Sequence, residues 1–420
     1  MALDPEELKR RRQHRKLQQK AARRKLITRL CIAGGLLLLC GILILVVSLR
    51  NTDDTPPSVT EPPASLSPEQ VPDTTLPPQT VIRFAATGDL NVTERMVSAG
   101  DGNYEYSSLF LDVAYLLADA DLATVNLEGN FCGAPYGSSA SAPPSLAQAL
   151  RRGGVDMIQL ANSYAIHRGV SGLVSTIDCV RQAGMEPVGV FRDQADYDQH
   201  QGFSLFEVQG VRVAVVSFTK GMDGTTLPPG NESCVNVLYS DYDSVYQKID
   251  KEKIGQILDA VNEVKPDVTI ALLHWGSEYN DTISSTQKSI KNLLLEQGVD
   301  AIIGTHPHYV QQIVFDPEAG TLVAYSLGDF VSDVTRAGTE YSIILELEIT
   351  KDHTTGVTTV TDYSYTPIFS VVEEGKPTRI LRIREAMAAY EAGYMDAVSK
   401  ETYDAMAYAL QRIDQRIAGE

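Results

Sequence analysis

Residues with metal-ligand or acid–base chemistry stand repeatedly where an apolar run stops. Asp89 follows VIRFAATG, Asn126 and Glu128 close ATVNLE, Asn162 and Ser163 follow DMIQLA, and His274 closes DVTIALLH. His306 and His308 follow DAIIGT, and Asp329 follows TLVAYSLG. In open α/β folds, ligands gather at the carboxyl ends of strands. These residue types suit divalent cations: two ions set a few ångströms apart need a bridging carboxylate, with imidazoles or oxygens around each. His306-Pro307-His308 sets two imidazoles on one turn, and four of the seven histidines (His167, His274, His306 and His308) fall in these segments. Singly, each feature has an ordinary reading too. Gly88-Asp89 can be a plain turn, and a histidine or glutamate at a strand end is commonly a hydrogen-bonded structural group. Their recurrence at one place in the pattern points to a common site.

Strands must present such residues. VIRFAAT (81–87), ATVNLE (123–128), DMIQLA (156–161), MEPVGVF (185–191), DVTIALLHW (267–275) and DAIIGT (300–305) read as buried strands. Between them, LFLDVAYLLADA (109–120), SLAQALRRGG (145–154), GLVSTIDCVRQAG (172–184), KEKIGQILDAVNEVKP (251–266) and TQKSIKNLLLEQG (286–298) have helical spacing. FSLFEVQGVRVAVVSFT alternates around Gly210 as a hairpin. YVQQIVFD pairs with TLVAYSLGDF, and YSIILELEIT with GVTTVTDYSYTPI; a polar helix over 383–416 ends the chain. This alternation predicts a mixed α/β fold with helices outside the sheets.

The formal net charge of −18 hides two opposite parts. Residues 1–50 hold twelve Lys/Arg against three acids, whereas residues 51–420 hold 24 bases against 51 acids. So acidic a domain repels nucleic-acid phosphates, which excludes general nucleic-acid binding. Residues 30–49, LCIAGGLLLLCGILILVVSL, carry no charge; at about 1.5 Å per residue they span roughly 30 Å, the thickness of a bilayer core. The basic tail 1–29 before them predicts an uncleaved signal anchor with its N-terminus in the cytoplasm and the rest outside. A cleaved signal is the alternative, but the apolar run is long and SLRNTDD lacks a small-x-small site. Residues 51–80 hold eight prolines and read as an extended spacer. The folded domain then covers 81–375, with a helical segment over 376–420. Cys31 and Cys40 fall in the anchor; Cys132, Cys179 and Cys234 lie far apart without C-x-x-C spacing, as free thiols or one disulfide pair. No G-x-S-x-G elbow and no Walker-type G-K-[ST] is present.

Six motifs carry a family resemblance: GDLN (88–91), VNLEG (125–129), LANSYAIHRG (160–169), LLHWGSEY (272–279), GTHPHYVQ (304–311) and YSLGDF (325–330). In order and spacing they resemble the CapA family of capsule-synthesis proteins, tied to poly-γ-glutamate synthesis and export, over roughly 81–335. The resemblance implies a calcineurin-like metallophosphatase-type four-layer α-β-β-α sandwich, here preceded by one transmembrane helix. It implies Asp89, Glu128, His274, His306 and His308 as metal ligands, Asn126 as a supporting residue, and Trp275 and Glu278 shaping the pocket near His274. The cofactor would be a divalent ion (Mn, Mg, Zn or Fe), and His274 and His306 would share the catalytic work with the altered segment at Tyr164 and His167.

That segment departs from the family. Where the family reads L-A-N-N-H-A-x-D-x-G, Asn162 is kept, but Ser163 replaces the second Asn, Tyr164 the His and His167 the Asp. A hydroxyl is a weaker ligand than an amide oxygen, and a phenol of pKa about 10 is a poor proton shuttle. Asp329 stands where the family commonly has Asn and could restore an oxygen ligand. Two accounts follow: a binding or scaffold component that has lost metal or turnover, which the substitutions favour, or a hydrolase of phosphoesters or γ-glutamyl polymer in which His167 and Asp329 compensate. In both, the expected partners are the membrane, polymer synthase or export proteins, and an anionic polymer. Arg151, Arg152 and Arg168 could form a basic groove for that polymer, or be ordinary surface arginines.

Overall fold

The computed structural model describes residues 78–100, 102–373, 378–394 and 397–419. The expected tail (1–29), the anchor (30–49), Cys31 and Cys40, and the spacer up to residue 77 lie outside the described residues. Among the described residues no helix is long and apolar enough to cross a membrane.

Among the described residues, fourteen strands build two sheets. They are β1 (Gln79–Asn91), β2 (Leu122–Glu128), β3 (Met157–Gln159), β4 (Glu186–Val188), β5 (Phe203–Val208), β6 (Val211–Thr219) and β7 (Val268–His274). There follow β8 (Ala301–Thr305), β9 (Ile313–Asp316), β10 (Thr321–Ala324), β11 (Asp329–Val331), β12 (Tyr341–Asp352), β13 (Thr358–Val371) and β14 (Arg379–Arg382). The first sheet runs β14-β13-β12-β1-β2-β3-β4, with β11 also paired to β1; the second runs β5-β6-β7-β8-β10-β9. Three apolar clusters give the layering. One holds Ile82, Phe84, Val213, Ile270 and Leu345 between the two sheets. A second packs Ala123, Val125 and Leu127 against the helices Pro144–Arg152 and Gly169–Gln182. The third packs Ala214, Ala271 and Leu273 against the helices Lys251–Glu263 and Ser285–Glu296. The order is helices, sheet, sheet, helices.

Side chains alternate faces along a strand, so parity decides what reaches the space between the sheets. On β7, Val268, Ile270 and Leu272 face inward and His274 continues that row, while Leu273 and Trp275 join the outer cluster. On β2, Ala123, Val125 and Leu127 face outward, which turns Asn126 and Glu128 inward. β1 breaks its own parity. Ile82, Phe84 and Ala86 face inward, yet so does Asp89, while Leu90 joins the outer cluster. The cause is a register shift between Ala86 and Asp89: Ala86 pairs with Thr124 and Asp89 with Asn126, three residues on one strand against two on the other. Such a bulge re-aims the side chains beyond it.

Two expectations are corrected. The single helix over 383–416 is two helices, Ile383–Glu391 and Lys400–Ala418; the first ends before Gly393, whose φ of 71° stops a helix. The segment 376–420, expected as helical, also holds a strand: β14 is the edge strand beside β13, and Met406, Ala409 and Ile413 of the last helix join the inter-sheet cluster. Cys132, Cys179 and Cys234 are free thiols.

The bulge depends on Gly88. A Cβ there would lie 1.7 Å from the Gly328 carbonyl oxygen, which accepts the Asp89 N–H at 2.9 Å. Backbone on both sides leaves no room to shift, so Gly88→Ala is expected to cost about 3 kcal/mol or more. Chemical denaturation of the two full-length proteins measures this, and an unchanged midpoint would refute the close approach.

Candidate metal centre

The strand registers set out two rows of polar residues facing each other. In the first sheet, Asp89 is paired with Asn126 on one side and Asp329 on the other. In the second, His274 is paired with Thr219 and Thr305. His306 and His308 stand on the turn after β8, both in the left-handed region, at φ 93° and 59°. That conformation is uncommon for side-chain-bearing residues and gathers at functional sites.

The rows meet in a buried cluster of ionisable groups. Asp89, Glu128, His274, His306, His308 and Asp329 are all buried. Donor atoms of Glu128, His274 and His306 lie within 4.8 Å of one another, as do those of Asp89, Glu128 and His308. Glu128 belongs to both triads. Asn126 Nδ2 donates to Asp89 Oδ1 at 2.7 Å, and the His306 N–H donates to Asp89 Oδ2 at 3.1 Å. Asn162 Nδ2 donates to Asn126 Oδ1 at 2.9 Å and to the Leu127 carbonyl at 2.7 Å. Asn162 thus supports a supporting residue.

Hydrogen bonds on the far side of the His274 and His308 rings orient them. Thr219 Oγ1 donates to the Gly221 carbonyl at 2.9 Å and accepts the Gly221 N–H at 3.2 Å. Only a lone pair remains for His274 Nδ1 at 3.2 Å, so that nitrogen carries the hydrogen. The bare Nε2 then faces Glu128 Oε1 at 2.9 Å. Two lone pairs so close need a proton or a cation between them. His308 is held likewise: Nδ1 meets Asp329 Oδ1 at 2.7 Å and Asp89 Oδ2 at 3.4 Å, and Nε2 lies 3.9 Å from Glu128 Oε2. His306 Nε2 is buried with no hydrogen-bond partner.

The protonation preferences carry the same message. Burial, then the neighbouring Glu128, raises Asp89 to about 7. Burial raises Glu128 to about 7 as well. Burial lowers His274 to about 3 and holds His306 well below the usual imidazole range. His308 alone goes the other way: burial opposes its charge, but Glu128, Asp329 and Asp89 push it up to about 12. Carboxylates that resist ionising together, neutral imidazoles with a nitrogen turned inward and an unpartnered His306 Nε2 fit a divalent ion in this cluster.

The remaining expected residues are placed as follows. Ser163 is buried and lines, with His306, a hollow of about 260 Å³. Tyr164 lines an adjoining hollow of about 110 Å³ with Glu128, His308 and Asp329; burial, then Glu128, holds its phenol well above the ordinary range. Glu278 borders both hollows. His167 is not brought into the cluster: it is exposed, its ring 5.5 Å from that of Tyr164. Trp275 does not shape the pocket. Its parity sends it outward, where it stacks on Tyr325 and donates Nε1–H to the Tyr325 carbonyl at 2.9 Å. Asp329 orients His308 through Nδ1. Arg151 and Arg152 of the expected basic groove pair with Asp156 and Glu105 at 2.6 and 3.2 Å, and Arg168 is exposed. The sequence reading missed Thr219, Lys220 and Tyr279, the last with its ring 5.0 Å from that of His308. Thr219 ends its strand just as His274 does, so the strand-end rule could have found it.

Two facing sheets flanked by helices, with carboxylates and imidazoles gathered between them, define an α/β sandwich with a candidate metal centre. The chain belongs to the bacterial capsule synthesis protein PGA_cap family, whose model matches residues 83–334. It is 26% identical over 286 residues to the capsule biosynthesis protein CapA of Bacillus anthracis, covering 65% of this chain and 64% of that one. It is 27% identical over 202 residues to the PGA biosynthesis protein CapA of Bacillus subtilis, covering 47% and 48%. The chain therefore spans less than two thirds of the length of these relatives. Among solved structures it is similar to the calcineurin-like phosphoesterase YfkN of Bacillus subtilis, with 16% identity, TM-score 0.44, and 80% and 98% of the two chains covered. A phosphatase of Mycoplasma pneumoniae gives 14% identity, TM-score 0.42, and 69% and 94%. Both likenesses are too loose to bear on function.

Partners beyond the inner ligands usually tune metal affinity. Thr219→Val removes the acceptor of His274 Nδ1–H and is expected to weaken divalent-ion binding by about 10- to 100-fold. Thr219→Ser is expected to restore it. Calorimetric titration with Mn²⁺ or Zn²⁺ tests this, with circular dichroism to check the fold; equal affinity in all three proteins would refute the orienting role.

Proposed function

We propose that this chain is a membrane-anchored, extracytoplasmic component of capsule or poly-γ-glutamate biosynthesis or export, whose domain uses a divalent-metal centre for hydrolysis of an envelope polymer. The observation that carries the metal centre is the sharing of Glu128 between two donor triads. The family supports the polymer pathway, and the apolar run 30–49 with its basic flank supports the anchor.

Asp89, Glu128, His274, His306 and His308 are the residues that would hold the ion, Glu128 being common to both donor triads. Bound there, a divalent ion would supply Lewis acidity toward a carbonyl or phosphoryl oxygen. Mixed imidazole and carboxylate donors favour Zn, Fe or Mn over Mg, which prefers oxygen ligands. Asn126 and the His306 N–H keep Asp89 in place, Thr219 and Asp329 keep two rings turned inward, and the Tyr164 phenol can donate a hydrogen bond to a developing negative charge without giving up its proton.

A second reading rests on Tyr164 and His167. With a phenol where the family has an imidazole, and His167 turned to solvent, the domain can be a metal-holding binding module without turnover.

The full-length protein, metal-loaded, is expected to hydrolyse bis(4-nitrophenyl) phosphate or poly-γ-glutamate, and His306→Ala is expected to lower the rate at least about 100-fold, roughly 3 kcal/mol of barrier. Bound metal without turnover would select the binding module; no metal and no turnover would refute the centre. Fractionation tests the anchor: deletion of residues 1–50 is expected to move the protein out of the membrane fraction, and retention there would refute it.

A further inference from the structure

The hollow beside His306 carries charge that the donor cluster does not use. Ser163, Lys220, Asp223, Glu278 and His306 are among its lining residues. Lys220 directly follows β6, and its N–H donates to the His274 carbonyl at 2.8 Å, so the strand pair that holds His274 also fixes this lysine. Its ammonium donates to the Gly276 carbonyl at 3.0 Å and lies 4.8 Å from the centre of the Tyr246 ring. Both partners are neutral, and among the described residues Lys220 makes no ion pair within 4.0 Å. Burial holds it below the ordinary lysine range against the pull of Glu278 and Asp223. Glu278 is exposed at the mouth, where the hollow adjoins the one that reaches Glu128 and His308. A cation and an anion thus face one cleft beside the donor cluster without neutralising each other.

We propose that Lys220 and Glu278 form a subsite for the α-amino-acid zwitterion at the amino end of the substrate, Lys220 taking the α-carboxylate and Glu278 the α-ammonium. The proposal rests on the hydrolytic reading above and deepens it. The lining sets two carboxylates, Asp223 and Glu278, beside one ammonium, Lys220; a phosphate dianion would bring only negative charge to that set, whereas a zwitterion brings a carboxylate for Lys220 and an ammonium for the acidic side. The chemistry selects linkage as well as class. In a chain joined through the γ-carboxyl, the amino-terminal residue keeps its α-carboxylate beside its α-ammonium; in an α-linked peptide that carboxylate is consumed. The subsite would therefore read the end of a γ-linked chain and reject both its interior and α-linked peptides. Lys220 and Glu278 act as positioning and specificity residues.

Calorimetric titration of the metal-loaded, full-length protein with γ-Glu-Glu, α-Glu-Glu, N-acetyl-γ-Glu-Glu and inorganic phosphate tests this. The γ-linked dipeptide is expected to bind at least about tenfold tighter than each of the others, one charge-assisted contact being enough for that ratio. Lys220→Ala and Glu278→Gln are each expected to erase most of the preference, and Lys220→Arg to keep part of it. Equal affinity for the three peptides, no binding of γ-Glu-Glu, or tighter binding of phosphate that Lys220→Ala abolishes would overturn the proposal. Elemental analysis of the same samples separates the two readings. Metal present without peptide discrimination sinks the subsite alone, whereas metal absent from the wild-type protein sinks the centre itself.

Discussion

The structure is organised around the burial of Asp89 and Glu128 between two apolar sheets. Removing a carboxylate from water costs several kcal/mol even after relaxation, and here two share one site with Asp329 close by. The protein offsets part of that cost with fixed donors: Asn126 and the His306 N–H on Asp89, and His308 among all three carboxylates. The rest stays as raised carboxyl pKa values and an unpartnered His306 Nε2. A ligand that binds only the folded state returns free energy to it, and a divalent cation is the ligand this arrangement favours most. Fold and site are coupled in that sense: beyond the charge that His308 already supplies, a cation bound in the cluster would add to the stability of the folded state.

That coupling explains the local irregularities. The bulge at Thr87-Gly88 interrupts β1 and leaves Gly88 against the Gly328 backbone, yet without it Asp89 would join Ala85 on the outer face and Leu90 would turn inward. The left-handed backbone of His306 and His308 is likewise unfavourable, and it turns an N–H toward Asp89 and a ring toward Glu128. Each strained feature is held by regular structure on both sides, so the surrounding ladders and cores meet the local cost.

Much of this was legible in the sequence because strand parity is a simple code. Asn126, Glu128 and His274 could be placed at strand ends from apolar runs alone, and the paired imidazoles of His306 and His308 were visible as a motif. The same code, applied strictly, would have turned Trp275 away from the pocket, since it follows His274 by one residue; the family resemblance drew it in. The bulge at Gly88 leaves no mark in the apolar pattern, as Asp89 would follow its strand with either parity. Thr219 looks like any β-branched strand residue until its hydroxyl is seen against His274 Nδ1. The break between the last two helices depended on one glycine in a long polar stretch, and β14 was too short to show periodicity.

The altered Asn162-Ser163-Tyr164 segment takes a different meaning once its place is known. The residues of the two donor triads sit on strand ends held by β-ladders or on the H-P-H turn that follows β8. Ser163 and Tyr164 sit on a loop after β3, bordering the hollows that open from the cluster. Exchange on that loop changes what meets a substrate without moving Asp89, Glu128 or the three imidazoles, and Asn162, which does touch the inner network, is the residue kept. The segment therefore divides by role. Its first residue belongs to the scaffold of the cluster, and the next two belong to the wall of the cleft, where Lys220 and Glu278 also stand. The substitutions at Ser163 and Tyr164 thus alter one oxygen donor and one proton-transfer position on the cleft wall, and leave the residues of the two donor triads in place.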